Sequence, residues 1–342
     1  MTVIFNNSRL YMGLAKDVLY KTSHKKFLKF FRNQSVFPCY HLVSDQKATH
    51  IENLYSFKNS RQFEDDLEIL KKNYSSLHPG ALQTQKKVKN SFLISFDDGL
   101  KEIYSVIFPI LKAKNINAIF FINPSFVDNN VILYKHSISI IINHLDQINN
   151  PSNVLNEIAK RIGFTYKTVQ EFQKNFLNLN YAERGKLADV LDFLKIDITD
   201  YLKQEQPYIT KVQIKEMMDA GFYFGGHTMN HPPLQQLTHE EQKREIIESI
   251  DWLKEHFNVD YSFFAFPFTD KNISKKLIQE LFEYDPNLIL FGNSGMKKDI
   301  DTRIIQRFTL ENPNKNTEKQ IVTENLYKYF NKCIGKYNLT RK

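Results

Sequence analysis

The stretch from residue 91 to residue 100, SFLISFDDGL, constrains the fold of this chain more than any other. An apolar run that ends at Phe96 is followed directly by Asp97, Asp98 and Gly99. Such a run is typical of a strand that is buried on both faces, as in a parallel sheet or barrel. Two adjacent carboxylates are costly to bury unless they are paired or bind a cation. The pattern therefore fits either a polar surface turn or two acids that Gly99 allows to face one cavity.

A second stretch, GFYFGGHTMNHPPL at 221–234, also joins an apolar run to residues that can bind a metal. It places His227 and His231 four positions apart. Two imidazoles at this spacing can face one point if the turn is close to helical. A histidine pair alone is more often structural than metal-binding. Here both the acids and the histidines follow strand-like runs, so together they predict one site.

Three motifs, in this order, are similar to those of the polysaccharide deacetylases, the NodB-homology or carbohydrate esterase family four group. SFDDG at 95–99 resembles their first motif, HTMNHP at 227–232 the second, and FAFPF at 264–268 a variant of the third. The similarity extends over about residues 36–310. It implies a distorted (β/α) barrel, a divalent metal bound by one aspartate and two histidines, and hydrolysis of an N-acetyl group on a sugar.

Site residues follow from this resemblance position by position. It implies that Asp98, His227 and His231 bind one divalent ion and that Asp97 is the general base. A set of two histidines and one carboxylate favours Zn²⁺ and is compatible with Co²⁺, Ni²⁺ or Fe²⁺.

The third motif contributes Pro267 and Phe268 to the expected site. The resemblance implies that a backbone N–H near Phe268 stabilises the oxyanion of the reaction. The family usually has an arginine two positions before this proline, where the chain has Ala265, and the aspartate and tryptophan motif that supports the base in other members has no match. We therefore expect weaker tuning of the base.

The general acid departs most from the family pattern, which has a Leu-x-His near the C-terminal end. After the second motif only His239 and His256 remain, and the Leu-Thr-His that ends at His239 lies at the capped start of a predicted helix. A branch of the family with circularly rearranged motifs has a Tyr-His near its first strand, which Tyr40-His41 resembles. We therefore predict that His41 is the acid and that Tyr40 orients it, with a core histidine as the alternative.

Strand-like apolar runs alternate with amphipathic helical patterns along residues 36–310, as a barrel of βα units requires. Between 131 and 208 the pattern is helical only and contains no catalytic motif. We interpret this region as a helical insertion in the barrel, of the kind that shapes access to an active site. Residues 1–35 form a basic amphipathic N-terminal segment, and 311–342 form a C-terminal helical tail.

The composition excludes several classes of protein. The net charge of +8 is mild and dispersed, and no nucleic-acid motif occurs, so no nucleic-acid partner is expected. No apolar run is long enough for a membrane span, and the N-terminus lacks the pattern of a signal peptide. Cys39 and Cys333 form neither a metal-binding spacing nor a disulfide framework. We expect a cytoplasmic protein.

The basic segment 1–35 has two interpretations. It contains seven lysines and arginines and one acidic residue, Asp17. Its apolar residues follow a helical spacing. It can be a helix packed on the barrel or a solvated arm. Alternatively, it makes a peripheral membrane contact, in which basic residues meet anionic lipids and aromatic residues insert.

The leading functional hypothesis is a metal-dependent hydrolase that removes an N-acetyl group from an amino sugar in a glycan or glycan precursor. With no export signal, we expect a nucleotide-linked, lipid-linked or glycoside intermediate rather than a finished wall polymer. Two alternatives stay open. One is a degenerate barrel that binds glycan without hydrolysis, against which the retained acids and histidines argue. The other is an amidohydrolase acting on a non-sugar amide such as a cyclic ureide.

Overall fold

The apolar runs form short strands in the computed structural model, which describes residues 15–84 and 88–342. The described strands are β1 (Pro38–Tyr40), β2 (Ser75–Ser76), β3 (Ser91–Phe92), β4 (Ile94–Phe96), β5 (Ala118–Ile122), β6 (Tyr223–Gly226), β7 (Phe263–Ala265), β8 (Ile289–Gly292), β9 (Ile304–Gln306) and β10 (Phe308–Thr309). Eight of them make one sheet in the order β10-β1-β4-β5-β6-β7-β8-β9, and all adjacent strands are parallel. β2 and β3 form a separate parallel pair.

Only Arg307 separates β9 from β10, and this short interruption nearly closes the sheet into a barrel. β9 pairs with β8, where Gly292 lies opposite Gln306, and β10 pairs with β1, where Pro38 lies opposite Phe308. One extended segment therefore bridges both edges of the sheet. The predicted distorted (β/α) barrel is confirmed, and the strand predicted over this last segment is broken at Arg307.

Helices alternate with the strands of the barrel. They are α1 (Ser60–Asn73), α2 (Phe108–Lys114), α3 (Tyr134–Leu145), α4 (Ser152–Ile162), α5 (Val169–Leu177), α6 (Lys186–Leu194), α7 (Ile198–Glu205), α8 (Lys211–Asp219), α9 (His239–Phe257), α10 (Lys275–Tyr284) and α11 (Thr317–Cys333). Residues 15–22 are also helical. The capping box predicted at Thr238 and Glu241 is present at the start of α9, where it satisfies backbone groups that the helix leaves free.

Helices α3 to α7 lie between β5 and β6 and have a core of their own. Its buried residues include Ile138, Phe172 and Phe176. Leu42 and Leu100, which follow β1 and β4, belong to the same apolar cluster. The inserted helices therefore pack over the carboxyl ends of these barrel strands. The sequence pattern predicted all of these helices except α7.

Aromatic rings fill the barrel interior. The rings of Phe121 and Phe291 lie 5.0 Å apart between their centroids, and Phe263 packs in the same cluster. A Cβ on Gly225 would lie 2.6 Å from the ring of Phe121 and 2.7 Å from the carbonyl oxygen of Phe263. Glycine is therefore required in β6 because the interior rings approach its backbone this closely.

The two ends of the described chain pack together. The C-terminal helix α11 contacts the 3₁₀ turn Lys25–Phe30 and α1. Arg9, Leu10 and Leu14 of the basic segment lie outside the described residues. Cys39 is buried and Cys333 is exposed, and both are free thiols. Among the helices within 15–84 and 88–342, none is long and apolar enough to cross a membrane.

Candidate active site

The two acids of the first motif follow β4 and point to different partners. Asp98 has a φ of 74° and Gly99 a φ of 66°, so the chain turns sharply after the strand. Aspartate tolerates this left-handed conformation better than most residues, and glycine adopts it freely. Because of this turn, Asp97 bonds to Arg307 inside the barrel, whereas Asp98 faces the two histidines.

The loop 227–231, which follows β6, carries both histidines in a non-helical conformation. Thr228 has a φ of 69° and His231 a φ of 52°, so the two imidazoles face one point without the helical turn that their spacing would allow. Asn123 donates its side-chain N–H groups to the carbonyls of residues 227 and 228 at 2.5 and 3.0 Å, and the Glu245 carboxylate accepts the N–H of residue 230 at 3.0 Å. A strained backbone persists only where its surroundings hold it. These contacts therefore fix the direction of both imidazoles.

Asp98, His227 and His231 form a buried cluster. Oδ1 of Asp98 lies 3.0 Å from Nε2 of His231 and 3.4 Å from Nε2 of His227. The three groups offer ligand atoms that all lie within 4.8 Å of one another. Nδ1 of His227 lies 2.8 Å from the carbonyl of Ala265, so Nδ1 must donate, and Nε2 keeps a lone pair that faces the carboxylate.

This cluster fits a divalent cation. Oδ1 of Asp98 is buried and accepts no hydrogen bond from the described residues, which is costly for a carboxylate oxygen. Burial lowers the pKa of His231 despite the neighbouring carboxylate, so its ring is neutral. Burial alone would raise the pKa of Asp98, but His231 and His227 hold it well below its usual value. Metal binding requires ligands that have lost their protons, and the lowered pKa values of His231 and Asp98 fit this requirement.

Arg307 binds Asp97 through two parallel hydrogen bonds. Nη1 donates to Oδ1 at 2.7 Å and Nη2 to Oδ2 at 2.9 Å, and Nη1 also donates to Ser95 at 2.9 Å. Burial alone would raise the pKa of Asp97, but the guanidinium lowers it, so the carboxylate is ionised. Ala265 led to the expectation of weaker tuning at Asp97, but Asp97 does have an arginine partner in Arg307. The arginine comes from the junction of β9 and β10 instead of the third motif.

His41 pairs with Glu311 across two adjacent strands. Nδ1 of His41 lies 2.9 Å from Oε2, and Oε1 accepts the backbone N–H groups of His41 and Leu42 at 2.9 and 2.8 Å. Burial lowers the pKa of His41, but the carboxylate outweighs it and raises the value to about 10. The prediction that Tyr40 orients His41 is wrong. Neighbouring strand residues point to opposite faces, and the Tyr40 hydroxyl donates to Asp66 at 2.6 Å.

The candidate site opens into a cavity of about 410 Å³. Barrel residues on its wall include His41, Tyr55, Asp98, His231 and Phe268, and the inserted helices also contribute to the wall. His41 thus shares the cavity with Asp98 and His231, whereas Asp97 and His227 are not among the residues that line it. The Tyr55 ring lies 5.3 Å from the His41 ring, and its buried hydroxyl has no hydrogen-bond partner among the described residues. That hydroxyl is available to a ligand.

The third motif forms the edge of this cavity. Phe268 has a φ of 53°, and its half-exposed ring lies 4.5 Å from the His231 ring. Within residues 15–84 and 88–342 the Phe268 N–H donates to no acceptor. Pro267 has no N–H to donate, so of these two residues only Phe268 can provide a backbone donor.

The two remaining downstream histidines lie elsewhere. His239 is the first residue of α9, and its Nε2 pairs with Glu280 at 3.1 Å. The His256 ring stacks on Trp252 with 4.4 Å between centroids. Neither histidine is among the residues that line the cavity.

Sequence reasoning missed Arg307, Glu311 and Tyr55. The first two carried a detectable signal, because a charged residue within or directly after an apolar strand needs a partner of opposite charge at the same end of the barrel. Tyr55 lies in a loop between β1 and α1, and its sequence context gives no such signal.

Comparison with known proteins agrees with this fold. A family profile described as polysaccharide deacetylase matches residues 84–166 and 182–296, which is more than half of the chain. The chain therefore belongs to the polysaccharide deacetylase family, and its enzymatic class is that of hydrolases acting on amide bonds. No curated protein matches the sequence.

Solved structures support the fold. A deacetylase from Streptococcus pyogenes, PplD in complex with acetate, has a TM-score of 0.54 at 16% identity, covering 85% of this chain and 98% of that chain. IcaB from Ammonifex degensii has a TM-score of 0.51 at 16% identity, with 85% and 97% covered. A polysaccharide deacetylase from Bacillus cereus has a TM-score of 0.51 at 16% identity, with 85% and 69% covered. At such identity the similarity shows the fold alone.

Proposed function

We propose that the protein is a metal-dependent N-deacetylase that acts on an acetylated amino sugar in a glycan or glycan precursor. The observation that carries this proposal is the Asp98, His227 and His231 cluster at a cavity that also contains His41. Family membership supports hydrolysis of an amide bond. Asp97 provides an ionised carboxylate next to the cluster in sequence.

Asp98, His227 and His231 would hold one divalent cation, with Zn²⁺ as the first expectation and Co²⁺, Ni²⁺ or Fe²⁺ as compatible alternatives. Such an ion would supply Lewis acidity, which an amide substrate needs because its carbonyl is a poor electrophile. Ala265 fixes the tautomer of His227 that leaves Nε2 free for this purpose.

Asp97 is the general base in this proposal. Arg307 occupies one lone pair on each carboxylate oxygen, and each oxygen keeps another lone pair that can accept a proton from the attacking water. The guanidinium also fixes the orientation of the carboxylate. Positioning of this kind makes proton transfer efficient, since a base acts only within hydrogen-bond reach of the proton it removes.

His41 is the general acid in this proposal. Its ring carries a proton at neutral pH because Glu311 raises its pKa to about 10. The leaving group of amide hydrolysis is an amine, which must be protonated as the C–N bond breaks. With Nδ1 bound to Glu311, Nε2 is the nitrogen that delivers the proton. That the chain belongs to the family branch with an N-terminal Tyr-His motif stays a prediction.

Pro267 and Phe268 would border the acetyl group. The unused N–H of Phe268 is a donor for the oxyanion that develops on the carbonyl oxygen. The cavity volume of about 410 Å³ lies within the range of small-molecule sites, roughly 300–1,000 Å³, and suits one or two sugar rings. A glycan precursor is therefore the expected substrate.

Metal analysis and acetate release together test this function. The purified protein should contain about one divalent ion per chain and release acetate from acetylated amino-sugar donors or oligosaccharides. Asp98→Ala, His227→Ala and His231→Ala should each lower the metal content measured by elemental analysis, whereas His239→Ala should not. Full occupancy in all three ligand variants would refute the site. Ring opening of a cyclic ureide without acetate release would favour the non-sugar alternative.

We also propose that the basic N-terminal segment makes a peripheral membrane contact. Phe27 and Phe30 are exposed on the 3₁₀ turn that also carries Lys25, Lys26 and Lys29. Leu28 and Phe31 belong to the core, so deleting the segment would also damage packing. The double variant Phe27→Ser, Phe30→Ser should reduce co-sedimentation with anionic vesicles and spare hydrolysis of a water-soluble substrate. Equal co-sedimentation with the wild type would favour the packed-helix interpretation.

A further inference from the structure

The inserted helices bring polar residues of their own into the cavity of the candidate site. Lys135 and His136 lie in the first turn of α3 and line the cavity together with Leu177, the last residue of α5. The opposite wall carries His41 and Asp98. These two polar residues have no part in the chemistry proposed above, and their position in the wall requires a separate explanation.

Lys135 is a half-buried cation. Its ammonium donates one hydrogen bond, at 2.5 Å, to the carbonyl of Leu177, which lies at the C-terminal end of α5 where helix carbonyls lack partners. Within the described parts of the chain no carboxylate forms an ion pair with it. Burial lowers its pKa to about 8. Nζ also lies 5.0 Å from the centre of the Tyr134 ring, and because an ammonium has three donors, donors beyond the one on Leu177 can serve a ligand.

His136 adds a neutral N–H donor. Its Nδ1 lies 2.7 Å from the Tyr208 hydroxyl, whose oxygen accepts the backbone N–H of Leu133 at 2.9 Å. The hydroxyl hydrogen is therefore free to bond to Nδ1, and this assignment leaves the ring proton on Nε2. Burial lowers the pKa of His136 well below its usual value, so the ring does not carry a charge.

The charged side chains around the cavity sum to zero, and a divalent cation at the proposed site would make the total positive. Asp97 is matched by Arg307, and His41 is matched by Glu311. Asp98 contributes one negative charge, which a divalent cation at the proposed site would exceed. The positive charge of Lys135 adds to this excess. A cavity of this composition favours an anionic ligand over a neutral one of the same size.

We propose that Lys135 and His136 form an anion subsite, which binds a carboxylate or phosphate carried by the substrate beside its acetylated amino sugar. The subsite rests on the proposed deacetylase function and narrows its substrate class to anionic N-acetylated sugars. An ammonium and a neighbouring N–H together match two oxygens of such a group. The inserted helices thus select the substrate, whereas the barrel residues perform the reaction.

The test compares acetate release from substrates that differ in charge. Uridine diphosphate N-acetylglucosamine carries phosphates, a disaccharide containing N-acetylmuramic acid carries a carboxylate, and chitotetraose is neutral. Lys135→Gln removes the charge but keeps a donor for the Leu177 carbonyl. This variant should raise KM for the preferred anionic substrate about tenfold or more, the usual worth of a bond to a charged group, with kcat nearly unchanged. KM for the neutral substrate should change less than about twofold.

Two further variants control for structure. Lys135→Arg keeps the charge and should retain most of the preference for the anionic substrate. Lys174→Gln removes an exposed lysine from α5 of the same insertion and should have no effect. Equal KM changes for neutral and anionic substrates in Lys135→Gln, or no change for any of them, would overturn the subsite. The phosphate and carboxylate substrates distinguish the two possible sources of the anion.

Failure of the proposed function is separable from failure of the subsite. If the wild-type protein releases acetate from no sugar, the function is wrong, and calorimetry still tests the subsite. The probe is uridine diphosphate N-acetylglucosamine, titrated into metal-loaded wild type and metal-loaded Lys135→Gln. About tenfold weaker binding to the variant supports the anion subsite. Equal binding to both proteins refutes it.

Discussion

Two ion pairs flank the candidate metal cluster, and they differ in how much of each is in contact with solvent. Asp97 and Arg307 are almost completely buried, with side chains 5% and 1% exposed. His41 is 32% exposed and Glu311 is 8% exposed. Both pairs join residues from the two ends of the barrel sequence. One is a fixed charge pair inside the barrel, and the other lies in the wall of the cavity.

The two pairs differ in which partner can change its protonation state. Arginine stays protonated in proteins, so in the buried pair only the carboxylate can take up a proton, and the guanidinium lowers the pKa of Asp97 despite its burial. In the other pair the histidine can gain and lose its proton, and it lines the cavity. The same type of contact, a carboxylate beside a cation, thus fits the proposed base on one side and the proposed proton donor on the other.

The largest effect is expected from breaking the buried pair at its carboxylate. Asp97→Asn keeps the volume and one of the two oxygens that accept from Arg307 but removes the basic carboxylate. Turnover should fall by about 10² to 10⁴, the usual contribution of a positioned general base, and the metal content should not change. Acetate release and elemental analysis on the same preparation measure both quantities. Near-normal turnover in this variant would mean that the buried pair is only structural.

Breaking the second pair should produce a smaller and substrate-dependent effect. His41→Gln removes the proton donor, so amide hydrolysis should fall by about 10², within the range of acid–base groups. Hydrolysis of an activated acetate ester should fall much less, because its leaving group needs little protonation. The ratio of the two rates is the measurement. Equal losses on both substrates would indicate that His41 positions the substrate and donates no proton.

The barrel could be predicted from sequence because its signals are local. The run that ends at Phe96, the glycine-containing run before His227 and the capping box at Thr238 each specify an element from adjacent residues. The break at Arg307 could not be predicted, since it depends on the pairing of β9 and β10 with two different neighbours. Such closure is a property of the whole sheet.

The candidate site residues that follow strands in recognisable motifs could be predicted from the sequence. The charged partners of Asp97 and His41 were missed because they come from distant segments. Arg307 replaces an arginine that Ala265 does not provide, and Glu311 takes the role assigned to Tyr40. In both cases a charged side chain reaches the site from the end of the barrel sequence: Arg307 lies 210 residues from Asp97, and Glu311 lies 270 residues from His41. Only the spatial order of the strands brings these residues together.

A conservative change in the buried pair should move the pH profile more than the rate. Arg307→Lys keeps the charge but cannot form two parallel bonds, so the pKa of Asp97 should rise. A base must be ionised, so the acidic limb of kcat/KM should move to higher pH with that pKa. Above the limb the variant should approach the wild type. Arg303→Lys, at a partly exposed pair with Asp301, is the matched control and should leave the limb in place.

An unchanged acidic limb in Arg307→Lys would show that Asp97 does not need the guanidinium to stay ionised. Thermal unfolding separates this result from a loss of fold, because breaking a buried pair is itself destabilising. Of the two ion pairs, only the one between His41 and Glu311 would then be expected to control a protonation state.

Glu311→Gln should change kcat/KM least at low pH. It should also distinguish the two ion pairs most sharply. The acid must be protonated, so activity with His41 as donor falls as pH rises through the His41 pKa, about 10 when the carboxylate is present. Without that charge burial dominates, and the alkaline limb of kcat/KM should move down by several pH units. Below the new limb the rate should approach the wild-type rate. Glu280→Gln, which breaks the His239 pair outside the cavity, should leave the limb unchanged. A bound cation would lower the His41 pKa in the wild type and in the variant alike, so the difference between their alkaline limbs persists. Alkaline limbs at the same pH in both proteins would exclude His41 as the proton donor.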